Sequence, residues 1–159
     1  MKSFKDLKVY FASPWFNPDQ AEREERVKGK LRELGFNVWS PKDNCVVSPI
    51  SDKNLREKVF NDNRWNIEDC DIIFAITDGK DMGTIWEAGY ACGYNERLKT
   101  FGRALIKIVY YCETLGPNGQ FNLMLAQSGD IVITKFEDLD KLPELINNDG
   151  GLAYAGIVE

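Results

Sequence analysis

The sequence predicts an α/β domain built on a five-stranded parallel sheet with helices on both faces. Three observations predict it. Short apolar runs alternate with longer charged stretches along all 159 residues, the pattern of strands separated by helices. The run Asp71–Thr77 (DIIFAIT) is nearly continuous in apolar residues, as expected of a strand buried on both faces of a parallel sheet. No internal repeat and no Pro/Gly-rich linker divides the chain, so residues 1–159 read as a single domain, and a chain of this length can bury about two-thirds of its unfolded surface without staples.

The elements follow in order. Leu7–Ala12 (LKVYFA), closed by Pro14, reads as the first strand. Asp19–Leu34 is highly charged, but Val27, Leu31 and Leu34 fall on one helical face, and Gly35 suits the residue after a helix end. Phe36–Trp39, closed by Pro41, reads as a second strand, and Lys42–Lys53, with Pro49, as loop. A helix is expected over Leu55–Asp69, with Leu55, Val59, Phe60 and Ile67 toward the core. After the strand Asp71–Thr77, a loop Asp78–Gly83 leads to a helix from Thr84 to about Arg97. Ala104–Cys112 and Ile131–Thr134 supply strands four and five, and Asp138–Asn147 a last helix. Short right-handed crossovers favour a flavodoxin-like strand order, 2-1-3-4-5. In such a sheet a ligand sits beyond the carboxyl ends of the strands, near the switch between strands one and three.

Composition narrows the chemistry. Twenty basic against 25 acidic residues leave a net charge of −5, which argues against a nucleic-acid backbone as partner. No apolar run reaches the length of a membrane span, and MKSFKDLKVYFAS lacks the uncharged core of a secretory leader. The chain has no histidine, so a Ser-His-Asp triad, a Cys-His dyad and a His-ligated zinc are excluded. Cys45, Cys70, Cys92 and Cys112 stand singly, without CxxC spacing. They read as small buried hydrophobes in a reducing, cytoplasmic compartment, neither a disulfide framework nor a metal site.

Two segments fall at the expected ligand edge. YFASPWFNPDQ (10–20) and DGKDMGTIWEAGY (78–90) contain neither GxxxxGK[ST] nor GxGxxG after a strand, so they do not cradle the phosphates of ATP, GTP or a dinucleotide. The first offers Tyr10, Trp15 and Phe16, rings suited to stacking on a flat heterocycle or, alternatively, to ordinary packing. The second offers Asp81 and Glu87. Glu87 is expected in the first turn of the helix opening at Thr84, where the helix dipole would hold it ionised for nucleophilic attack. The same residues, T-x-x-E, also read as a capping box. Two carboxylates at one pocket can divide into an ionised and a protonated member. Further along, Ala88, Gly89 and Gly93 are small residues on one helical face, whose glycines suggest close approach of a neighbour. Trp86, Tyr90 and Tyr94 recur every four residues, a stripe for the core or a subunit interface.

VYFASPWFNPDQ, CDIIFAITDGKDMGTIWEAGYA and FNLMLAQSGDIVI together resemble the nucleoside 2-deoxyribosyltransferases, the segment Asp81–Ala91 (D-x-G-x-x-x-E-x-G-Y-A) being the most specific. The resemblance implies a flavodoxin-like fold, homo-oligomers with shared active sites, no metal or organic cofactor, and a deoxynucleoside and a free purine or pyrimidine base as substrates. It implies transfer of a 2-deoxyribosyl group between bases with retention, a nucleotide-salvage chemistry, through a glycosyl ester on the enzyme. Glu87 would be the nucleophile, Asp81 would contact or protonate the base, and Tyr10 would position Glu87. Phe16 and Trp15 would line the base pocket beside Gly83. Asn122, with Met124, would bind the sugar 5′-hydroxyl of a neighbouring subunit's substrate, and Tyr154 would close that site. The family's second aspartate, eight residues before Asp71, is replaced here by Asn63, with Asp62 beside it. Two other readings fit the same residues: an N-glycoside hydrolase releasing free base, and a non-catalytic nucleoside-binding module in which Glu87 only caps a helix.

Overall fold

A computed structural model describes residues 6–45, 50–116, 118–147 and 154–159. Five parallel strands stand in the order β2-β1-β3-β4-β5: β1 (Lys8–Ala12), β2 (Asn37–Trp39), β3 (Ile72–Ile76), β4 (Lys107–Tyr111) and β5 (Ile131–Ile133). The expected fold class and strand order are therefore observed. All five residues of β3 are buried, because β1 and β4 flank it and helices cover both faces.

Alternation along the strands sorts side chains into two cores. Val9, Phe11, Ile72, Phe74, Val109 and Tyr111 face one layer, with Val27 and Leu31 of α1 (Pro18–Glu33) and Leu142 of α6 (Leu142–Asn147). Tyr10, Ala12, Ile73, Ala75, Ile108 and Tyr110 face the other, with Ile67 of α3 (Lys53–Glu68), Ala88 and Ala91 of α4 (Met82–Thr100) and Ala126 of α5 (Leu123–Ser128). In a parallel sheet, a helix that follows a strand begins at that strand's carboxyl end. Polar caps mark these starts: Asn17 for α1, Ser40 for the short α2 (Pro41–Asn44), Asp81 for α4 and Asn122 for α5. The caps thus gather at one edge of the sheet.

Several expectations are corrected. The predicted loop 42–53 begins inside α2 and ends at the start of α3; its residues 46–49 lie outside the described ones. A 3-10 turn, Phe136–Lys141, precedes α6 where one helix was expected. Phe60 is half-exposed, not core, and rests on the Trp86 ring with centroids 5.6 Å apart; only Ile67 of α3 is fully buried. Trp86, Tyr90 and Tyr94 stack along α4, with centroids 5.3 and 6.3 Å apart; Tyr90 and Tyr94 are partly buried against the core, while Trp86 is half-exposed. At Gly89 and Gly93 nothing outside the helix's own backbone lies within 4 Å of where a Cβ would stand, so among the described residues no other element approaches closely there. No helix among the described residues is long and apolar enough to cross a membrane, and all four cysteines are free.

Candidate active site

β1 carries Tyr10 into the layer between the sheet and α4, where its side chain has no solvent exposure. Its hydroxyl donates to Glu87 Oε1 at 2.6 Å. Burial, with the negative charge of Glu87 beside it, pushes the Tyr10 hydroxyl far above its usual range, so it stays a proton-bearing donor.

The start of α4 differs from expectation. Asp81, not Thr84, is the N-cap: its backbone is extended, and its Oδ2 accepts the Thr84 N–H at 2.8 Å. Thr84 lies inside the helix, so T-x-x-E is not a capping box, and Glu87 sits in the second turn beyond the free N–H groups. The dipole therefore does not hold Glu87 ionised. Burial raises its carboxyl to about 7, the Tyr10 hydrogen bond opposes this, and the Asp81 charge adds to it. Glu87 therefore holds a proton near neutrality. A Cβ at Gly83 would lie 3.2 Å from Asp81 Oδ2, close enough that the capping carboxylate would have to give by a few tenths of an ångström.

The flank of Glu87 toward β2 and α3 is lined by groups that touch one another. Cys45 follows α2, and its thiol donates to Asn63 Oδ1 at 3.1 Å. Burial, then the charges of Asp62 and Glu87, raise that thiol above its ordinary value. Asp62 pairs with Lys58 one turn away. Trp39, the last residue of β2, stacks on Tyr10 with centroids 5.1 Å apart and planes at 28°. On the opposite rim, Phe16 is 71 % exposed and tilts against Trp15 at 5.3 Å. The Phe16 N–H donates to Gln20 Oε1, and Gln20 Nε2 lies 3.1 Å from where a Gly79 Cβ would stand, so Gln20 ties the two predicted loops together.

Among the described residues the hydrogen bond of Glu87 is to Tyr10, not to Asn122 or Tyr154. Asn122 and Met124 line a cavity of about 400 Å³ with Ile85, Cys112, Phe121 and Glu159. Asn122 Oδ1 caps α5 by accepting the N–H groups of Met124 and Leu125. Tyr154 packs on Phe121 at 5.3 Å, beside the bridge from Phe121 to Val158. Among the described residues one carboxylate group, Glu24, Glu25 and Asp43, is close enough to hold a metal ion; Lys28 and Lys42 already occupy it as counter-charges.

Trp39 and Cys45 were not singled out by the sequence. The signal for Trp39 was present, since an aromatic at the end of the strand beside β1 must fall at the ligand edge. Cys45 gave none, as a lone cysteine usually packs as a small hydrophobe.

A three-layer α/β sheet, with a half-buried carboxylate hydrogen-bonded to a buried tyrosine of β1 and a second carboxylate at a helix start, has the groups for acid–base or nucleophilic chemistry. Residues 9–139 match the family model described as nucleoside 2-deoxyribosyltransferase. The chain belongs to that family, and is an enzyme whose substrates are nucleosides and nucleobases. Its structure is similar to that of a 2-deoxyribosyltransferase from the psychrotolerant bacterium Bacillus psychrosaccharolyticus, with 27 % identity over 96 % of this chain and 98 % of the other and a TM-score of 0.67. A conserved protein from Enterococcus faecalis V583 shares the fold at 18 % identity, over 87 % and 98 % of the two chains, with a TM-score of 0.66. No curated protein matches the chain in sequence.

Proposed function

We propose that the protein moves the 2-deoxyribosyl group of a deoxynucleoside to a second base with retention, through a covalent ester on Glu87. The observation that carries this reading is the 2.6 Å hydrogen bond from the buried Tyr10 hydroxyl to Glu87 Oε1, which fixes one carboxylate oxygen and leaves the other to attack. Ionised Glu87 forms a bond to the anomeric carbon as the C–N bond breaks through an oxocarbenium-like transition state. The proton Glu87 gives up on ionising passes to Asp81; the bond's electrons leave with the base, which takes that proton, or a hydrogen bond from it, from the Asp81 oxygen not used for capping. An incoming base then displaces Glu87, and two inversions give retention. Asn63, bonded to Cys45, and Asp62, whose charge acts on Cys45 together with that of Glu87, would contact the base, as would Phe16, Trp15 and Gly83. Asn122, Met124 and Tyr154 would serve the site of a second copy in a homo-oligomer.

Incubation with a deoxynucleoside and a different free base tests the reaction class. Transfer yields a new nucleoside, hydrolysis only free base, and simple binding neither. Glu87→Gln should lower transfer by several orders of magnitude, as losses of nucleophiles do. A 2-fluoro-2-deoxynucleoside should leave a sugar on the peptide containing Glu87. Near-normal transfer by Glu87→Gln, or an adduct on Asp81 or Asp62, would overturn the assignment.

A further inference from the structure

Tyr10 has one proton to give, and the whole side chain is buried. Where that proton points depends on what holds the ring. The parallel register sets Tyr10 beside Trp39, and laterally paired strand residues project to the same face. The indole therefore lies flat against the phenol ring, at 5.1 Å and 28°. β2 is a three-residue edge strand, so on that side no further strand backs Tyr10. An offset aromatic pair of this kind contributes about 0.5–1.5 kcal/mol beyond its buried area, enough to select one ring orientation among several.

We propose that Trp39 is a positioning residue for catalysis: its indole holds the Tyr10 ring so that the phenol proton stays on Glu87 Oε1. The inference rests on the reading of Glu87 as nucleophile. It does not require Trp39 to touch the substrate. The groups that face Glu87 are Tyr10 from β1, Asp81 from the start of α4, and Cys45 after α2; behind Cys45 stand Asp62 and its partner Lys58 on α3. Of these, only the Tyr10 hydrogen bond favours the ionised form of Glu87. Loosening Tyr10 therefore raises the pH at which Glu87 ionises, and the acidic limb of kcat/KM moves up.

The test is the pH profile of transfer in wild type, Trp39→Ala, Trp39→Phe, Tyr10→Phe and the double variant Trp39→Ala/Tyr10→Phe. Trp39→Ala should move the acidic limb upward by about half a unit and lower kcat/KM near neutrality by roughly 10-fold. Tyr10→Phe should move it the same way and further. Trp39→Phe, which keeps a ring against Tyr10, should recover most of the loss. In the Tyr10→Phe background, Trp39→Ala should add less than about a 2-fold change. An unmoved limb in Trp39→Ala, a downward shift, or an equal effect with and without the Tyr10 hydroxyl each overturns the inference. Near-UV circular dichroism of each variant confirms that the fold is kept. Failure here leaves the nucleophile assignment standing, since that falls only if Glu87→Gln remains active.

Discussion

Glu87 is held in a form that suits reaction poorly until its proton leaves. Only the carboxylate attacks carbon, and the free site raises this carboxyl to about 7. Transfer should therefore rise with pH across an acidic limb near 7 in kcat/KM. The same shift bears on stability, with a sign opposite to that of most carboxylates. The folded value lies above the ordinary 4.5, so the folded state binds the proton more tightly than the unfolded chain. The benefit is complete below about 4.5, fades as pH rises toward 7, and is absent above. At pH 8 the buried charge costs about 2–3 kcal/mol. Glu87→Gln removes that cost. Its melting temperature should match wild type near pH 4 and exceed it by several degrees at pH 8. Calorimetry at the two pH values checks this, and an equal difference at both would mean that Glu87 is not desolvated.

Element boundaries decide which residues these arguments concern, and α4 shows how far the sequence carries. Two overlapping cap patterns, Asp81-x-x-Thr84 and Thr84-x-x-Glu87, compete for one helix start. Choosing between them depends on the turn before, where Gly79 and Lys80 both have positive φ, 82° and 52°. That left-handed pair turns the chain early enough for Asp81 to cap. No pattern of side-chain types reports it. By contrast, β3 was legible at once because burial on both faces leaves no polar position, and Gly35 was legible because its φ of 94° ends α1 as a glycine does. Phe60 misled because a helix whose outer face carries rings has no clean polar side. The pairing of Tyr10 with Glu87, 77 positions apart, was reached only through family resemblance, since nothing in either segment names the other. Trp39 escaped because it sits in a three-residue strand, too short to show a period. Gly79→Ala tests the turn: a Cβ would meet strain at that φ and crowd Gln20 Nε2 at 3.1 Å. It should destabilise the fold by about 1–2 kcal/mol and lower activity by displacing Asp81. Denaturant unfolding and the transfer assay read the two effects.

Across the molecule, the two layers differ in what holds them. Beneath α2, Glu24 and Lys28 of α1 are buried side chains, 0 % and 2 % exposed, paired at 2.9 Å. Lys28 also reaches Asp43 at 2.8 Å, and Lys42 reaches Glu24 at 2.8 Å, so the network clips α2 to α1 through ion pairs that do not involve Glu87. Breaking a buried pair strands a charge. Lys28→Ala should cost about 3–5 kcal/mol, while a variant that still folds should keep the wild-type pH profile of transfer. The opposite layer instead leaves apolar surface in water. Phe60, Trp86, Tyr90 and Tyr94 form a continuous ladder of rings along α3 and α4, and Gly89 and Gly93 leave open space along α4. Met82 and Met124 are 86 % and 73 % exposed. Phe60 and Trp86, 50 % and 49 % exposed and in contact with each other, are the part of that ladder a second copy would cover. In the proposed reading Asn122 and Met124 serve the site of a second copy, which is a further reason to expect one. Light scattering should therefore give an oligomer, six copies of the 18.1 kDa chain being the expected size. Trp86→Glu places a charge in the middle of the ladder at an exposed position, so it should split the assembly while leaving each chain folded. If the site is shared, transfer falls with the assembly and returns when the protein concentration is raised. A wild-type chain that is monomeric and fully active at assay concentration would confine Asn122 and Met124 to their own chain, and the site would have to be complete without them.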